Sequence, residues 1–191
     1  MRKETQMILA GLKSTSIADI AAMPDGPFRV GPKIDRWATV SPCERYRYLL
    51  GRSWGPGPRV LWVMLNPSTA DARLDDPTIR KCLEFSRRLG FGSLEVVNLY
   101  AWRSTDPAGL KTAPDPIGPD NARHLADAAE RCDRIIVAWG ANASPDPGAV
   151  SASLGDRPLW CLGRTKDGQP RHPLMLAYAT PLEIWRLAHA L

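Results

Sequence analysis

The sequence predicts an α/β protein, a three-layer α/β/α sandwich with a central four-stranded parallel sheet and an N-terminal antiparallel edge. Its 191 residues, 44% of them apolar, suffice for one domain with one large core. Short, almost wholly apolar segments alternate with helical ones, which favours a parallel sheet covered on both faces. The segments that we predict to be the four buried strands are residues 60–65, 94–97, 135–139 and 159–162.

Residues 1–36 are predicted to form an N-terminal extension, and residues 37–191 a single α/β domain. Proline and glycine recur five times between positions 24 and 32 and interrupt any regular element there. We therefore expect a short helix followed by an irregular arm. Residues 37–40 and 45–54 alternate apolar or aromatic side chains with polar ones, a pattern typical of half-exposed strands. This pair of segments predicts the antiparallel edge.

The clearest helix in the sequence begins after Asp76. Asp is a preferred N-cap and the following Pro77 suits the first helical turn, while Gly90 is placed to end a helix over residues 78–89. Three further helices are predicted at residues 119–131, in a short segment after Pro147, and at residues 181–190.

The composition is that of an ordinary soluble domain. No apolar stretch approaches the roughly 20 residues of a membrane helix, and residues 1–12 lack the apolar core of a signal peptide. We therefore expect a cytoplasmic protein that has no membrane partner. Cys43, Cys82, Cys132 and Cys161 are too far apart for a zinc site, and they predict reduced, mostly buried thiols.

Motifs that would bind a cofactor or supply a serine nucleophile are absent from the sequence. It contains no G-x-x-x-x-G-K-[ST] phosphate loop, no G-x-G-x-x-G turn after a strand and no G-x-S-x-G nucleophile elbow. Phosphoryl transfer, dinucleotide redox chemistry and serine hydrolysis are therefore not expected. The leading prediction involves neither a cofactor nor a metal ion.

The formal charge of +5 is confined to the first third of the chain. Residues 1–60 hold 10 Lys and Arg against 5 Asp and Glu, whereas residues 61–191 hold 15 of each. A basic surface attracts nucleic acid through its phosphates. If the protein binds nucleic acid, we expect the affinity to fall steeply with salt and to depend on Arg29, Lys33, Arg36, Arg45, Arg47 and Arg52.

Polar side chains follow each predicted buried strand. Asn66 comes directly after the first strand, Asn98 after the second, Asn142 soon after the third, and His172 in the loop after the fourth. Ligands of open parallel sheets bind beyond the carboxyl ends of the strands, so we expect these side chains to converge at one mouth. Structural roles remain open as alternatives, because Asn-Pro often initiates a turn and Asn142 is placed like a capping residue.

Three acidic residues between the first strand and the first helix admit two interpretations. Asp71, Asp75 and Asp76 carry the oxygen ligands that a hard divalent cation prefers. They are also good turn and cap residues, and Asp76 already precedes a helix. The second interpretation is favoured, since no further acidic cluster follows in the sequence.

Five short motifs lie in one order along the chain. They read LNPSTAD at 65–71, DPTIR at 76–80, VNLYAWR at 97–103, WG at 139–140 and RHPL at 171–174. Together they resemble the domain-of-unknown-function family 1643 over roughly residues 37–185, a family whose name carries no activity. More distantly, the order of Asn-Pro, strand-ending Asn, Trp-Gly and late His-Pro resembles the uracil-DNA glycosylase superfamily.

The superfamily resemblance implies a role for each matching residue. Asn66 would position a water against the sugar carbon, with Asp71 as the acidic group that assists it. Asn98 would read the edge of a nucleobase, and His172 would hydrogen-bond a base oxygen as negative charge develops there. Tyr100 would stack on an extruded base. The remaining substrate-binding residues are expected beside these motifs, at Pro67, Ser68, Arg103 and Arg171.

The leading prediction is therefore a nucleobase-recognising protein of the uracil-DNA glycosylase type, an N-glycosidase that acts on nucleic acid or on a modified nucleotide. It requires that Asn66, Asn98 and His172 line one cleft. A second hypothesis is a non-catalytic module that binds a nucleotide or single-stranded nucleic acid in the same pocket. A third hypothesis is a metal-dependent hydrolase centred on the acidic residues.

Overall fold

The computed structural model describes residues 33–141, 143 and 147–186. These residues belong to one compact unit, Pro32–Leu191. Most of the predicted N-terminal extension lies outside the described residues, as does Asn142. The predicted domain boundary therefore stays a prediction.

A seven-stranded mixed sheet forms the centre of this unit. Its strands are β1 (Asp35–Val40), β2 (Arg47–Ser53), β3 (Arg59–Met64), β4 (Ser93–Asn98), β5 (Arg134–Val137), β6 (Leu159–Cys161) and β7 (Glu183–Trp185). Across the sheet they follow the order β1-β2-β4-β3-β5-β6-β7. The strands β4, β3, β5 and β6 pair in parallel, while β1 and β2 at one edge and β7 at the other pair antiparallel.

Three helices cover the two faces of the sheet: α1 (Pro77–Arg88), α2 (Asn121–Arg131) and α3 (Pro147–Leu154). Apolar side chains of α1 pack on one face, and those of α2 and α3 pack on the other. The predicted α/β class is confirmed, and the sheet has one antiparallel strand, β7, beyond the predicted parallel strands and N-terminal antiparallel edge. None of the helices among the described residues is long and apolar enough to cross a membrane.

The start of α1 follows from local sequence, as predicted. The Asp76 side chain accepts a hydrogen bond from the backbone N–H of Ile79 at 2.8 Å and so caps the helix. Pro77 occupies the first turn, and Gly90 follows the helix with a φ of +83°. This cap points the first turn of α1 toward the carboxyl ends of the parallel strands.

The predicted C-terminal helix at residues 181–190 is wrong over residues 183–185, which form β7 against β6. The physical reason lies in tertiary packing. Trp185 is buried, meets Trp139 edge to face at a centroid distance of 5.1 Å, and donates through its indole N–H to the Gly168 carbonyl. These contacts favour an extended edge strand at this position.

The basic surface predicted for the N-terminal third is partly wrong. Arg47 and Arg52 are 3% and 0% exposed, and Arg36 forms an ion pair with Asp75. The cause is the segment after β3, which lies against β2 and takes hydrogen bonds from both arginines, from Arg47 at the Ala70 carbonyl and from Arg52 at the Asp71 carbonyl. Lys33 and Arg45 are exposed as expected, while Arg29 lies outside the described residues.

Candidate functional site

A cavity of about 440 Å³ lies at the carboxyl ends of β3, β4 and β5. The first turn of α1 and the loop before the short 3₁₀ helix Pro173–Met175 close its sides. Asn66, Asn98 and His172 all line it, so the structure brings these three predicted residues together. The location matches the general rule for ligand sites in parallel sheets.

Asn98 ends β4 and offers a hydrogen-bond donor to this cavity. The side chain is 1% exposed, and its Nδ2 has no hydrogen-bond partner among the described residues. The backbone around it is held by Asn121, whose Nδ2 donates to the carbonyls of Asn98 and Leu99 at 3.0 Å each. An unpartnered buried amide costs free energy, of order 1–3 kcal/mol, so a ligand acceptor at this position would be favourable.

Asn66 is oriented by the loops on either side of the cavity. Its Nδ2 donates to the Pro67 carbonyl at 3.1 Å and to the Ser104 carbonyl at 2.8 Å. Because both N–H groups are used, Asn66 can offer a ligand only the acceptor Oδ1. A water or a hydroxyl group is the kind of ligand that such an acceptor holds.

His172 is held as a neutral imidazole. Its Nδ1 accepts a hydrogen bond from the backbone N–H of Leu174 at 3.3 Å, which places the ring proton on Nε2. Burial lowers the pKa of His172 below its ordinary value of 6.5, and the nearby Asp76 carboxylate opposes this shift. His172 therefore presents an N–H donor to a ligand at neutral pH.

The loop that carries His172 depends on a close approach to Gly140. Gly140 has a φ of +82°, and a Cβ at this position would lie 3.3 Å from the His172 Cβ. Its N–H donates to the Pro170 carbonyl at 2.9 Å and ties the two loops together. Trp139, held by a hydrogen bond to Gln169, forms the adjoining cavity wall.

Arg47 and Asp76 are wall residues whose contribution to the cavity the sequence did not predict. Arg47 donates through Nη1 to the Ala70 carbonyl at 2.6 Å, while its Nε has no partner among the described residues. Burial lowers the pKa of Arg47 to about 10, against the attraction of Asp76, so it stays protonated at neutral pH. Asp76 combines its cap of α1 with a place in the wall.

Asp71, predicted to assist catalysis, is placed elsewhere. Its Oδ1 accepts hydrogen bonds from the backbone N–H groups of Leu74 and Arg73 at 2.8 and 2.6 Å, and these bonds lower the pKa of Asp71. It is not among the residues that line the cavity. The residue stabilises a turn, the structural role that the sequence had left open.

Tyr100, predicted to stack on a base, lines a different cavity. That cavity, about 390 Å³ in volume, is walled mainly by apolar side chains such as Leu99, Ile117 and Leu125. The prediction of base stacking by Tyr100 is not supported. The error comes from the turn after β4, where neighbouring residues in the chain point into separate spaces.

The other predicted substrate-binding residues differ in their placement. Ser68 lines the main cavity, and Pro67 is buried behind it with its carbonyl bonded to Asn66 and Ser104. Arg103 lines an adjoining groove of about 330 Å³, which shares Ser68 with the cavity. Arg171 is exposed and contributes its backbone N–H to the Gly163 carbonyl rather than a side chain to the cavity wall.

The acidic residues do not form a metal site in the described part of the chain. Asp75 pairs with Arg36 and Arg52, Asp71 stabilises a turn, and Asp76 caps α1. Each carboxylate therefore already has a structural partner. The arrangement does not favour the metal-dependent hydrolase hypothesis.

Comparison with known proteins adds a family but no activity. A family model described as a protein of unknown function (DUF1643) matches residues 47–174. This stretch contains the strand ends and loops that form the cavity, from Arg47 to Leu174. No curated protein and no solved structure matches the chain.

Proposed function

Since this chain belongs to the DUF1643 family, whose name assigns no activity, we propose its function from the cavity: it recognises a nucleobase and cleaves the N-glycosidic bond to the sugar. The observation that carries the proposal is the buried, unpartnered Nδ2 of Asn98 in a cavity that also holds the neutral His172. The proposed fold is that of the uracil-DNA glycosylase superfamily, supported by four parallel strands with the site at their carboxyl ends.

The cavity has the size and polarity that a nucleobase requires. Its volume of about 440 Å³ lies within the usual range for small-molecule sites. Asn98 and His172 each present an N–H donor, and keto oxygens or ring nitrogens of a base are the complementary acceptors. Trp139 supplies an apolar wall beside them.

The same two donors suit the leaving group of the reaction. When the C–N bond breaks, its electron pair goes to the base, which leaves as an anion. Fixed N–H donors aimed at this developing charge stabilise the transition state, and one such donor contributes a rate factor of about 10²–10³. In the neutral His172 the donor is the Nε2–H group, because Nδ1 accepts from Leu174.

On the sugar side, Asn66 and Asp76 provide the polar groups. In our proposal the Asn66 Oδ1 holds a water that adds to the sugar carbon, and the Asp76 carboxylate accepts the proton that this water loses. Asp76 thus takes the role that the sequence analysis gave to Asp71. The negative charge of Asp76 also favours the cationic sugar that forms as the bond breaks.

The test is an assay of base release from oligonucleotides that contain uracil, hypoxanthine or a mismatch, and from the corresponding nucleotides. We expect release by the wild-type protein and a loss of about 10²–10³ in rate for Asn98→Ala and for His172→Ala. His124→Ala is the matched control, because His124 stacks on Tyr48 away from the cavity. No base release by the wild type would refute the glycosidase.

Melting temperatures measured with and without a nucleotide, beside the base-release assay, separate a binding module from an enzyme. Both use the Asn98 donor, so both predict that a nucleotide raises the melting temperature and that Asn98→Ala removes this effect. Ligand-induced stabilisation without release of base would assign the non-catalytic function.

A further inference from the structure

Two buried arginines in β2 differ in how the protein satisfies them. Arg52 is fully buried, pairs with the Asp75 carboxylate at 2.8 Å, and also donates to the carbonyls of Gly51 and Asp71. Arg47 is 3% exposed, yet its guanidinium makes one hydrogen bond, to the Ala70 carbonyl, and its Nε has no partner among the described residues. Arg52 is a structural cation, whereas Arg47 retains unused donors.

No carboxylate among the described residues neutralises Arg47 at ion-pair distance. Asp76 attracts it from the same cavity wall, but the Asp76 Oδ1 already accepts from Ile79. Arg52 and Arg103 lie close enough to repel it and to lower its pKa. A buried cation in this situation is costly, and an anion beside it would offset that cost.

The surroundings of Arg47 in the cavity wall suit a ligand group that carries negative charge on several oxygen atoms. Ser68, Thr69 and Thr105, which carry hydroxyl groups, line both this cavity and the adjoining groove that Arg103 lines. Guanidinium and hydroxyl groups are common partners of phosphate oxygens. Asn98 and His172 line the same cavity, so a nucleotide unit can contact both sets of groups.

We infer that Arg47 binds a phosphate group of the ligand, and hence that the cavity takes a nucleotide unit rather than a free base or a nucleoside. The inference rests on the proposed function and adds the chemical class of its substrate. A nucleoside monophosphate and an internal phosphodiester of a strand both supply this group. The structure assigns the anion site to Arg47, not to Arg52.

The experiment compares ligands that differ only in phosphate. Calorimetry measures the affinities of deoxyuridine, dUMP, a uracil-containing oligonucleotide and inorganic phosphate at constant ionic strength. We expect dUMP or the oligonucleotide to bind about 10- to 100-fold more tightly than deoxyuridine, the range of one good charge-assisted contact. Arg47→Met reduces this ratio toward one, and Arg47→Lys retains part of it, while Arg88→Gln on the surface of α1 leaves it unchanged.

Equal affinity for deoxyuridine and the phosphate-bearing ligands would overturn the inference, and so would a ratio that survives in Arg47→Met. A high ratio for dUMP indicates a free nucleotide, and a high ratio only for the oligonucleotide indicates a strand. If Arg47→Met does not fold, NMR of the wild-type protein tests the inference instead. We expect the Arg47 Nε–H resonance to shift with dUMP but not with deoxyuridine. Phosphate binding through Arg47 without any preference for a base would uphold the anion site and refute the proposed function.

Discussion

The unsatisfied polar side-chain atoms of the described chain are concentrated at one place. They are the Arg47 Nε, the Asn98 Nδ2 and the Asn121 Oδ1. Arg47 and Asn98 line the cavity, and Asn121 supports the backbone behind Asn98. Native proteins leave few such atoms, and each one costs stability that packing elsewhere must offset. Arg47 and Asn98 are the two residues for which we propose that a ligand completes the hydrogen bonds.

Replacing Asn98 should weaken ligand binding with little change in the stability of the fold. We expect Asn98→Ala to lose at least tenfold in affinity for a nucleotide. Its free energy of unfolding should change by less than about 1 kcal/mol, because removal of the unpartnered donor offsets the packing lost with the side chain. Urea denaturation and calorimetry measure the two quantities.

Asn121→Ala is the structural comparison for Asn98. It removes two hydrogen bonds to the end of β4 and should lower the free energy of unfolding by about 1–3 kcal/mol. An Asn98→Ala protein that is both strongly destabilised and unimpaired in binding would contradict a ligand-binding role for this amide.

His172 makes the site sensitive to acid. Its pKa is lower in the folded protein than the ordinary 6.5, so the unfolded chain takes up a proton first as the pH falls. The stability that the neutral ring contributes is therefore complete above pH 6.5 and declines as the pH falls toward the folded pKa. Ligand binding by the folded protein should decline as the pH falls through the lowered pKa of His172 itself, since protonation disrupts the hydrogen bond from the Leu174 N–H to Nδ1.

Denaturation and binding measured between pH 5 and pH 8 check this expectation. His172→Gln should flatten the binding profile, whereas His124→Gln should change only the stability profile, because burial also lowers the pKa of His124. A binding profile that His172→Gln leaves unchanged would show that another group governs the acid dependence. Nitrogen NMR of the imidazole tests the Nε2–H tautomer directly.

At the scale of elements, Asp76 at the start of α1 caps the helix, and we propose that it also accepts a proton in the reaction. One pair of variants can separate these two roles. Asp76→Asn keeps a capping side chain and should leave stability within about 0.5 kcal/mol of the wild type, whereas Asp76→Ala should lose about 1 kcal/mol. Both variants remove the carboxylate that we propose as proton acceptor. Base release should therefore fall in both, and retention of full activity in Asp76→Asn would assign Asp76 to capping alone.

The segment after β3 is fastened to β2 by Arg52. The guanidinium holds the Asp75 carboxylate and the carbonyl of Asp71, and it is fully buried. Arg52→Met leaves a buried carboxylate with less compensation and should lower the free energy of unfolding by about 3–5 kcal/mol. Urea denaturation checks this value, with the exposed Arg88→Gln as the charge control. A loss below about 1 kcal/mol would mean that the segment is held by other contacts.

The sequence predicted those elements whose signals are local. The cap at Asp76, the glycine at Gly90 and the apolar β-strands needed only neighbouring residues, so α1 and the class of the fold followed. β7 could not be predicted, because its extended form depends on Trp139, which is distant in the chain. The same limit explains Arg47, whose polar and aromatic neighbours in sequence indicated an exposed edge strand.

At the scale of the whole molecule, part of the positive charge of residues 1–60 is not available on the surface. Of the six basic residues expected to contact nucleic acid, Arg47 and Arg52 are buried and Arg36 is paired with Asp75. Of the six, Lys33 and Arg45 are therefore the described residues that are left exposed and outside an ion pair with Asp75. In our proposal, affinity for a nucleotide unit depends instead on the cavity and on Arg47 in its wall.

This division predicts that deletion of residues 1–32 affects strands and not mononucleotides. The deletion removes four cations, Arg2, Lys3, Lys13 and Arg29, together with three carboxylates, Glu4, Asp19 and Asp25, so the formal charge falls by one. Each phosphate that is no longer neutralised should reduce the slope of log affinity against log salt by about 0.7 for single strands. We expect weaker, less salt-dependent binding of a uracil-containing oligonucleotide and an unchanged affinity for dUMP. The measurement is a salt titration of both ligands with the full chain and the shortened one. Equal losses for the two ligands would contradict this division, because neutralisation of phosphates along a strand acts on the oligonucleotide far more than on a single nucleotide.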